Sequence, residues 1–301
     1  MNLGLLFLLL LILQTPLSFA HGNSPHQDNW NWDPLVLVSL LALMLAYGKG
    51  ALNLKKKRKI ILKEILFFTL SIIILFIALI SPIDVWSDEL QSWHMIQHML
   101  IMMLAAPLFV LAVPLYIYLW ALPLSIRHKV KPLYRWLYGH KTGWYFLWQP
   151  LLLWSLFAFT LWIWHLPQFY EAALRTEWLH DIQHISFFVT SCLFWRVLLD
   201  PIHRFKMGRA LGIFYLFATT LHATLLGVFM TLSPKLWYKF YQEKTLSWNM
   251  SALEDQQLAG LIMWMPACSI YIFVTVYIFI LWSKEENTLA PLDKIKLPMN
   301  P

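Results

Sequence analysis

Hydrophobic positions in this 301-residue chain are gathered into long runs separated by short polar bursts. A helix needs about 20 apolar residues to cross the hydrocarbon of a bilayer, and the backbone polar groups there must be satisfied within the segment. Seven runs have that length, at about 34–50, 64–83, 93–120, 146–166, 180–199, 210–232 and 257–282. None alternates with the two-residue period of a barrel strand, so the pattern predicts an all-α fold, a polytopic membrane helix bundle of seven transmembrane helices. Pro107, Pro114 and Pro266 fall inside runs and predict kinks whose freed carbonyls find other donors.

The first twenty residues, MNLGLLFLLLLILQTPLSFA, have a short apolar core, Pro16, and a small-x-small ending at Ser18 and Ala20. They read as a signal peptide cleaved before His21, with an uncleaved anchor as the alternative because no Lys or Arg precedes the core. The predicted organisation is a signal peptide at 1–20, an extracytoplasmic segment at 21–33, a seven-helix domain at 34–283 and a cytoplasmic tail at 284–301.

Composition agrees, with 59% hydrophobic and 13% charged residues, 17 Trp and 20 Phe. The net charge of +7 does not point to nucleic acid, because the basic residues sit in short bursts between apolar runs and no nucleic-acid module is present. All but four of the 23 basic residues lie around 48–63, 124–145 and 196–209 or in the tail; the four are Arg175, Lys235, Lys239 and Lys244. The positive-inside rule makes those bursts cytoplasmic and predicts the N-terminus out and the C-terminus in, with membrane lipid as the surrounding solvent. Trp86, Trp93, Trp162, Trp164, Trp178 and Trp237 then form an outer aromatic belt, and Trp120, Trp136, Trp144 and Trp282 an inner one.

Candidate chemistry enters with the histidines. HMIQHML begins at His94 and a near-copy, HDIQHIS, begins at His180, each at the outer start of a run. Residues four apart share a helix face about 6 Å apart along the axis, a spacing from which two imidazoles reach one metal ion. In this topology His94, His98, His180 and His184 lie at one depth. His165 ends the fourth run at the same level, and His222, roughly 15 Å deeper, is expected to floor the cluster. Gln97 and Gln183 hold equivalent places and are expected to bond a ligand imidazole or one another. Asp255 and Gln256, in EDQQLAG, enter the same layer, where a carboxylate would orient a histidine and offset a cation. Intramembrane ionisable groups mark function by default.

Imidazole with thioether suits Cu(I) better than a hard cation. By helical angle only Met102 falls near the His94/His98 face, so the remaining methionines of that run, and Met263 and Met265, read as packing. Cys192 and Cys268 lack a zinc or redox spacing and read as small apolar fillers. His128, His140 and His203 lie in basic segments, and His21 and His26 in the N-terminal one, so those five read as surface residues.

The strings SPIDVWSDELQSWHMIQHMLIMMLAAPLFVLAVP, WHLPQFYEAALRTEWLHDIQHISFFVTSCLFWRVL and LEDQQLAGLIMWMP resemble the CtaG family of cytochrome c oxidase assembly proteins, the polytopic type associated with caa-type oxidases, over about residues 80 to 270. The resemblance carries over His94, Gln97, His98, His165, His180, Gln183, His184, His222, Asp255 and Gln256 as the family's polar positions. It implies a factor for maturation of a haem–copper oxidase, partnered with oxidase subunits and handling copper, in a bacterial plasma membrane.

Four functions follow from these readings. The favoured one is a non-enzymatic assembly factor or metallochaperone holding copper at the outer face. Haem bound by histidines of two helices is the alternative. A metal-dependent enzyme with Glu254 or Asp255 as general base, and an ion transporter, are the others.

Overall fold

A computed structural model of the chain describes residues 30–55, 62–138, 143–199 and 208–289. The expected signal peptide, the basic run Lys56–Lys59, His21, His26, His140, His203 and the tail beyond 289 lie outside the described residues. Helix α1 is Pro34–Lys55 and α2 is Leu62–Ile80; the short α3, Pro82–Ser87, leads into α4, Gln91–Leu111. Next come α5 (Pro114–Ala121), α6 (Leu124–Tyr138), α7 (Gly143–His165), α8 (Pro167–Arg175), α9 (Glu177–Leu199), α10 (Arg209–Leu232) and α11 (Ala252–Leu289). Six helices, α1, α2, α4, α9, α10 and α11 over Ala252–Ile280, are long and apolar enough to cross a membrane. The fourth expected span, 146–166, falls on Gln149–His165, which passes the same test only together with α8, bent from it by 74° at their junction. Leu166 precedes Pro167, is extended (ψ 133°), and so ends α7 immediately after His165.

The third run, 93–120, is broken outright just before Pro114, where the sequence predicts a kink. Helix α4 stops at Leu111 and the chain restarts at Pro114. Val113 adopts a left-handed backbone (φ 53°), a conformation costing a β-branched residue about 1–2 kcal/mol. The following Pro114 has no N–H to continue the helix. Apolar composition runs on across this break, so hydropathy does not register it. The broken turn is satisfied locally: Val113 N–H donates to Val110 O at 3.0 Å, and the Tyr47 hydroxyl lies 3.1 Å from Ala112 O.

Ahead of Pro107, residues Leu100–Ala105 are wound as a π-helix. A π turn inserts one extra residue and shifts every later side chain around the axis. Carbonyls of this stretch take donors from other helices, as expected for Pro107: Trp195 Nε1 donates to Met102 O at 3.0 Å and Ser71 Oγ to Ala105 O at 2.8 Å.

Two apolar cores meet at α4. One joins α1, α2 and α5 to α4 through Tyr47, Phe68, Ile72, Phe109 and Ile117. The other joins α7, α9, α10 and α11 to α4 through Met102, Phe157, Phe194, Trp195 and Tyr271. Helices α10 and α11 cross closely because Gly227 and Gly260 have no Cβ: one on Gly227 would lie 2.8 Å from Trp264 Cβ, and one on Gly260 2.5 Å from Thr231 Oγ1. Exposed Phe214, Phe217, Ile272, Phe273 and Ile280 give these helices an apolar outer face suited to lipid.

Candidate functional site

The helix ends that carry the HxxxH pairs are roofed by α3, α8 and the 232–251 segment, which contains two 3-10 turns, Lys239–Tyr241 and Lys244–Trp248. Long-range hydrogen bonds fasten this layer. Tyr241 Oη donates to Ser87 O at 3.0 Å, Trp248 Nε1 to Glu89 Oε2 at 2.6 Å, Lys244 Nζ to Asp88 O at 2.8 Å and Lys239 N to Glu171 Oε1 at 2.7 Å. The Lys244 ammonium also lies 3.9 Å from the centroid of the Phe240 ring.

Beneath the roof, four imidazoles from α4 and α9 are in mutual ring contact. Centroids are 4.2 Å apart for His94/His98 and for His180/His184, the two i,i+4 pairs. Across the helices they are 5.2 Å for His94/His180 and His98/His184, and 6.1 Å for His94/His184. His94, His98 and His184 are buried, at 0%, 3% and 7% exposure. Both ring nitrogens of His94 and of His98, and Nε2 of His180 and of His184, are enclosed without a hydrogen-bond partner among the described residues. Buried polar atoms are ordinarily paired, and each unpaired one costs about 1–3 kcal/mol. Among the described residues no group of three or more His, Cys, Asp or Glu side chains is already arranged to hold a metal ion.

His165 belongs to the edge of this group. Its Nδ1 is 2.7 Å from Leu161 O, its Nε2 is buried and unpartnered among the described residues, and its ring lies 6.2 Å from both Tyr170 and Phe187. Tyr170 also lies 5.3 Å from His94, and Phe187 4.7 Å from His98. His222 is placed elsewhere. Its aromatic neighbours are Trp154 at 5.3 Å and Phe157 at 6.4 Å, so it does not floor the imidazole cluster. Depth along the axis leaves rotation about α10 open, and that rotation turns this side chain toward α7.

The polar residues expected around the histidines are used differently. Gln97 Nε2 donates to Ala78 O at 2.9 Å and to Asp84 Oδ1 at 2.5 Å, tying α4 to α2 and α3, and does not reach an imidazole. Its offset of three residues from His94 and one from His98 turns it onto the α2 side. Gln183 is fully buried, and neither side-chain polar atom has a partner among the described residues. Asp255 does not orient a histidine: its carboxylate accepts from Gln91 N at 2.6 Å and Ser92 N at 3.1 Å, an anion at the N-terminus of α4. Gln256 likewise holds backbone, accepting from Trp237 N at 2.6 Å and donating to Lys235 O at 3.2 Å. Glu254 forms a capping box with Ser251: Ser251 N donates to Glu254 Oε2 at 2.9 Å and Glu254 N to Ser251 Oγ at 3.2 Å. Both candidate general bases are therefore engaged in ending or starting helices.

Sequence reasoning passed over Asp84, which accepts from Asn31 Nδ2 at 2.6 Å as well as from Gln97. Burial, opposed by those two donors, raises its carboxyl to about 7. The available signal was the Ser-Pro-x-Asp start of α3, where Ser81 Oγ accepts from Ile83 N and fixes Asp84 in the first turn. The cysteines have neutral neighbours, Cys192 Sγ lying 3.9 Å from Ala106 O and Cys268 Sγ 2.9 Å from Thr224 Oγ1.

No curated protein and no solved structure matches the chain. One family model does, over residues 45–285, reaching further toward the N-terminus than the resemblance read from residues 80 to 270. That match contains both HxxxH motifs, His165, His222 and the Asp255 helix start, and by it this multi-pass helical membrane protein belongs to the cytochrome c oxidase caa3 assembly factor family.

Proposed function

We propose that this caa3 oxidase assembly factor carries copper as cargo, held by His94, His98, His180 and His184 on the extracytoplasmic side of a bacterial plasma membrane and handed to an oxidase subunit. The observation that carries the reading is the four-ring contact with enclosed, unpartnered imidazole nitrogens on two HxxxH helices. Two imidazoles on one tetrahedral ion, with metal–nitrogen bonds of about 2 Å, keep their centroids about 5 Å apart, close to the cross-helix spacing here. The nitrogens reach a common ion after ring rotation about χ2, a broad torsion for histidine. Among the described residues no carboxylate is hydrogen-bonded to these rings, so a monovalent ion costs less to enclose than a divalent one, and imidazole suits copper. The orientation rests on the positive-inside charge pattern.

Haem receives no comparable support, because rings in direct contact leave no gap between them for a macrocycle. The test is anaerobic Cu(I) binding by the detergent-purified chain. Near-stoichiometric copper is expected, with affinity falling at least 100-fold in His98→Ala/His184→Ala; absence of copper above background, or no change in the variant, sinks the reading.

A further inference from the structure

We infer that the cavity on the opposite side of α4 from α2 is a second, thioether-based binding station for a soft monovalent cation, Cu(I) or Ag(I), sharing His98 with the imidazole cluster. The inference rests on the copper reading of that cluster and adds a second coordination environment to it. The cavity holds about 20 Å³, room for one water-sized particle. Its walls are α4, α7, α10 and α11, whereas the four-imidazole cluster lies between α4 and α9.

Five of the chain's 12 methionines line it: Met95, Met99, Met102 and Met103 from α4, and Met263 from α11. Methionine fills irregular gaps in ordinary cores, so the sulfurs alone decide nothing. What distinguishes this cavity is that His98 and His165 also line it. They are 3% and 4% exposed, and each presents a ring nitrogen with no hydrogen-bond partner among the described residues. His165 is fixed in this role, since Nδ1 is held against Leu161 O and Nε2 is the nitrogen left over. A gap filled only for packing has no use for two unpaired imidazoles, which oppose burial.

The backbone contributes as well. The π turn at Leu100–Ala105 brings Met103 to the angular place that residue 102 takes in an uninterrupted helix, and so onto the wall that Met95 and Met99 share. Trp195 on Met102 O and Ser71 on Ala105 O fix that winding from both sides. The cavity lining contains no carboxylate, and a neutral sulfur-and-nitrogen set in low dielectric favours a soft ion of charge +1 over Zn(II) or Ca(II). Passage between the two stations is ligand exchange about His98, with no change in the ion's charge.

The experiment loads the full chain in detergent with Cu(I) from its bicinchoninate complex under argon and reads stoichiometry and the copper X-ray absorption edge and shell. Wild type is expected to bind two ions with sulfur in the average shell, His98 ligating one of them at a time. Replacement of all five lining methionines by Leu, each volume-conserving, is expected to retain one ion in a nitrogen-only shell. His180→Ala/His184→Ala is expected to retain the sulfur-bound ion. A wild type that binds one ion with nitrogen only overturns the second station and leaves the imidazole reading standing. One mixed-shell ion lost in both variants overturns the separation into two stations. A wild type that binds no Cu(I) overturns both readings.

Discussion

The two cores that meet at α4 differ in how completely their buried polar side chains are paired. In the core of α1, α2 and α5, buried hydroxyls are spent on backbone carbonyls: Tyr47 Oη lies 3.2 Å from Glu64 O and 3.1 Å from Ala112 O, Tyr118 Oη 3.3 Å from Leu43 O, and Ser71 Oγ 2.8 Å from Ala105 O. In the core of α7, α9, α10 and α11, imidazoles on the same helix α4 are enclosed with nitrogens that no described residue answers. Both cores are built from similar apolar and aromatic side chains. One side uses its hydroxyls to hold a broken helix together; the other leaves imidazoles unpaired among the described residues, at a cost to stability.

The sharpest way to break this contrast is to remove what aligns α4 between the cores. Asp255→Ala leaves the buried Gln91 and Ser92 N–H groups without an acceptor, an expected loss of about 3–5 kcal/mol. Thermal unfolding in detergent followed by tryptophan fluorescence measures it, and Asp255→Asn, which retains an acceptor oxygen, is expected to recover more than half. Equal stability of the Asp255→Ala variant and wild type would mean that the roof layer, not this carboxylate, sets the position of the histidine helix.

A comparable effect, reached only through pH, is expected at the seam. Asp84 links α3 to Asn31 and, through Gln97, to α4, and its folded carboxyl titrates at about 7 against about 4 in the unfolded chain. The folded state therefore holds a proton that the unfolded state has released between those values. Stability from this group is complete below about pH 4, declines as pH rises to about 7, and is level above, a change of about 4 kcal/mol. Asp84→Asn is expected to flatten that slope and to exceed wild type in stability at about pH 8, above the folded value. A stability profile with unchanged slope in the variant assigns the pH dependence to another group.

How much of this is legible in the sequence depends on periodicity. The two HxxxH pairs can be read because i,i+4 spacing fixes a common face and because each pair opens an apolar run, so His94, His98, His180 and His184 meet as the pattern predicts. What escapes is rotation and interruption. Pro114 predicts a kink but not the full break at Val113 in a run that stays apolar throughout, and the π turn moves Met103 without altering composition. His222 lies beside Trp154 and Gln97 beside Asp84, each turned about its helix away from the imidazoles. Asp255 is close to the histidine helix, as its place in the chain predicts, yet a carboxylate at a helix end has a backbone N-terminus to compete for it, and that partner wins.

The last comparison sets one substitution in each core against the other. Tyr47→Phe removes a hydroxyl that answers two carbonyls and is expected to cost about 1–2 kcal/mol. His184→Leu removes an imidazole whose Nε2 is enclosed and unpartnered among the described residues, replacing it with an apolar side chain, and is expected to stabilise the metal-free protein by about 1 kcal/mol while lowering copper binding. The opposite signs are the point. If both substitutions destabilise the metal-free chain alike, the histidines of α4 and α9 are structural groups of the same kind as Tyr47. If only the tyrosine does, stability has been traded for a ligand set on one side of α4 and not on the other.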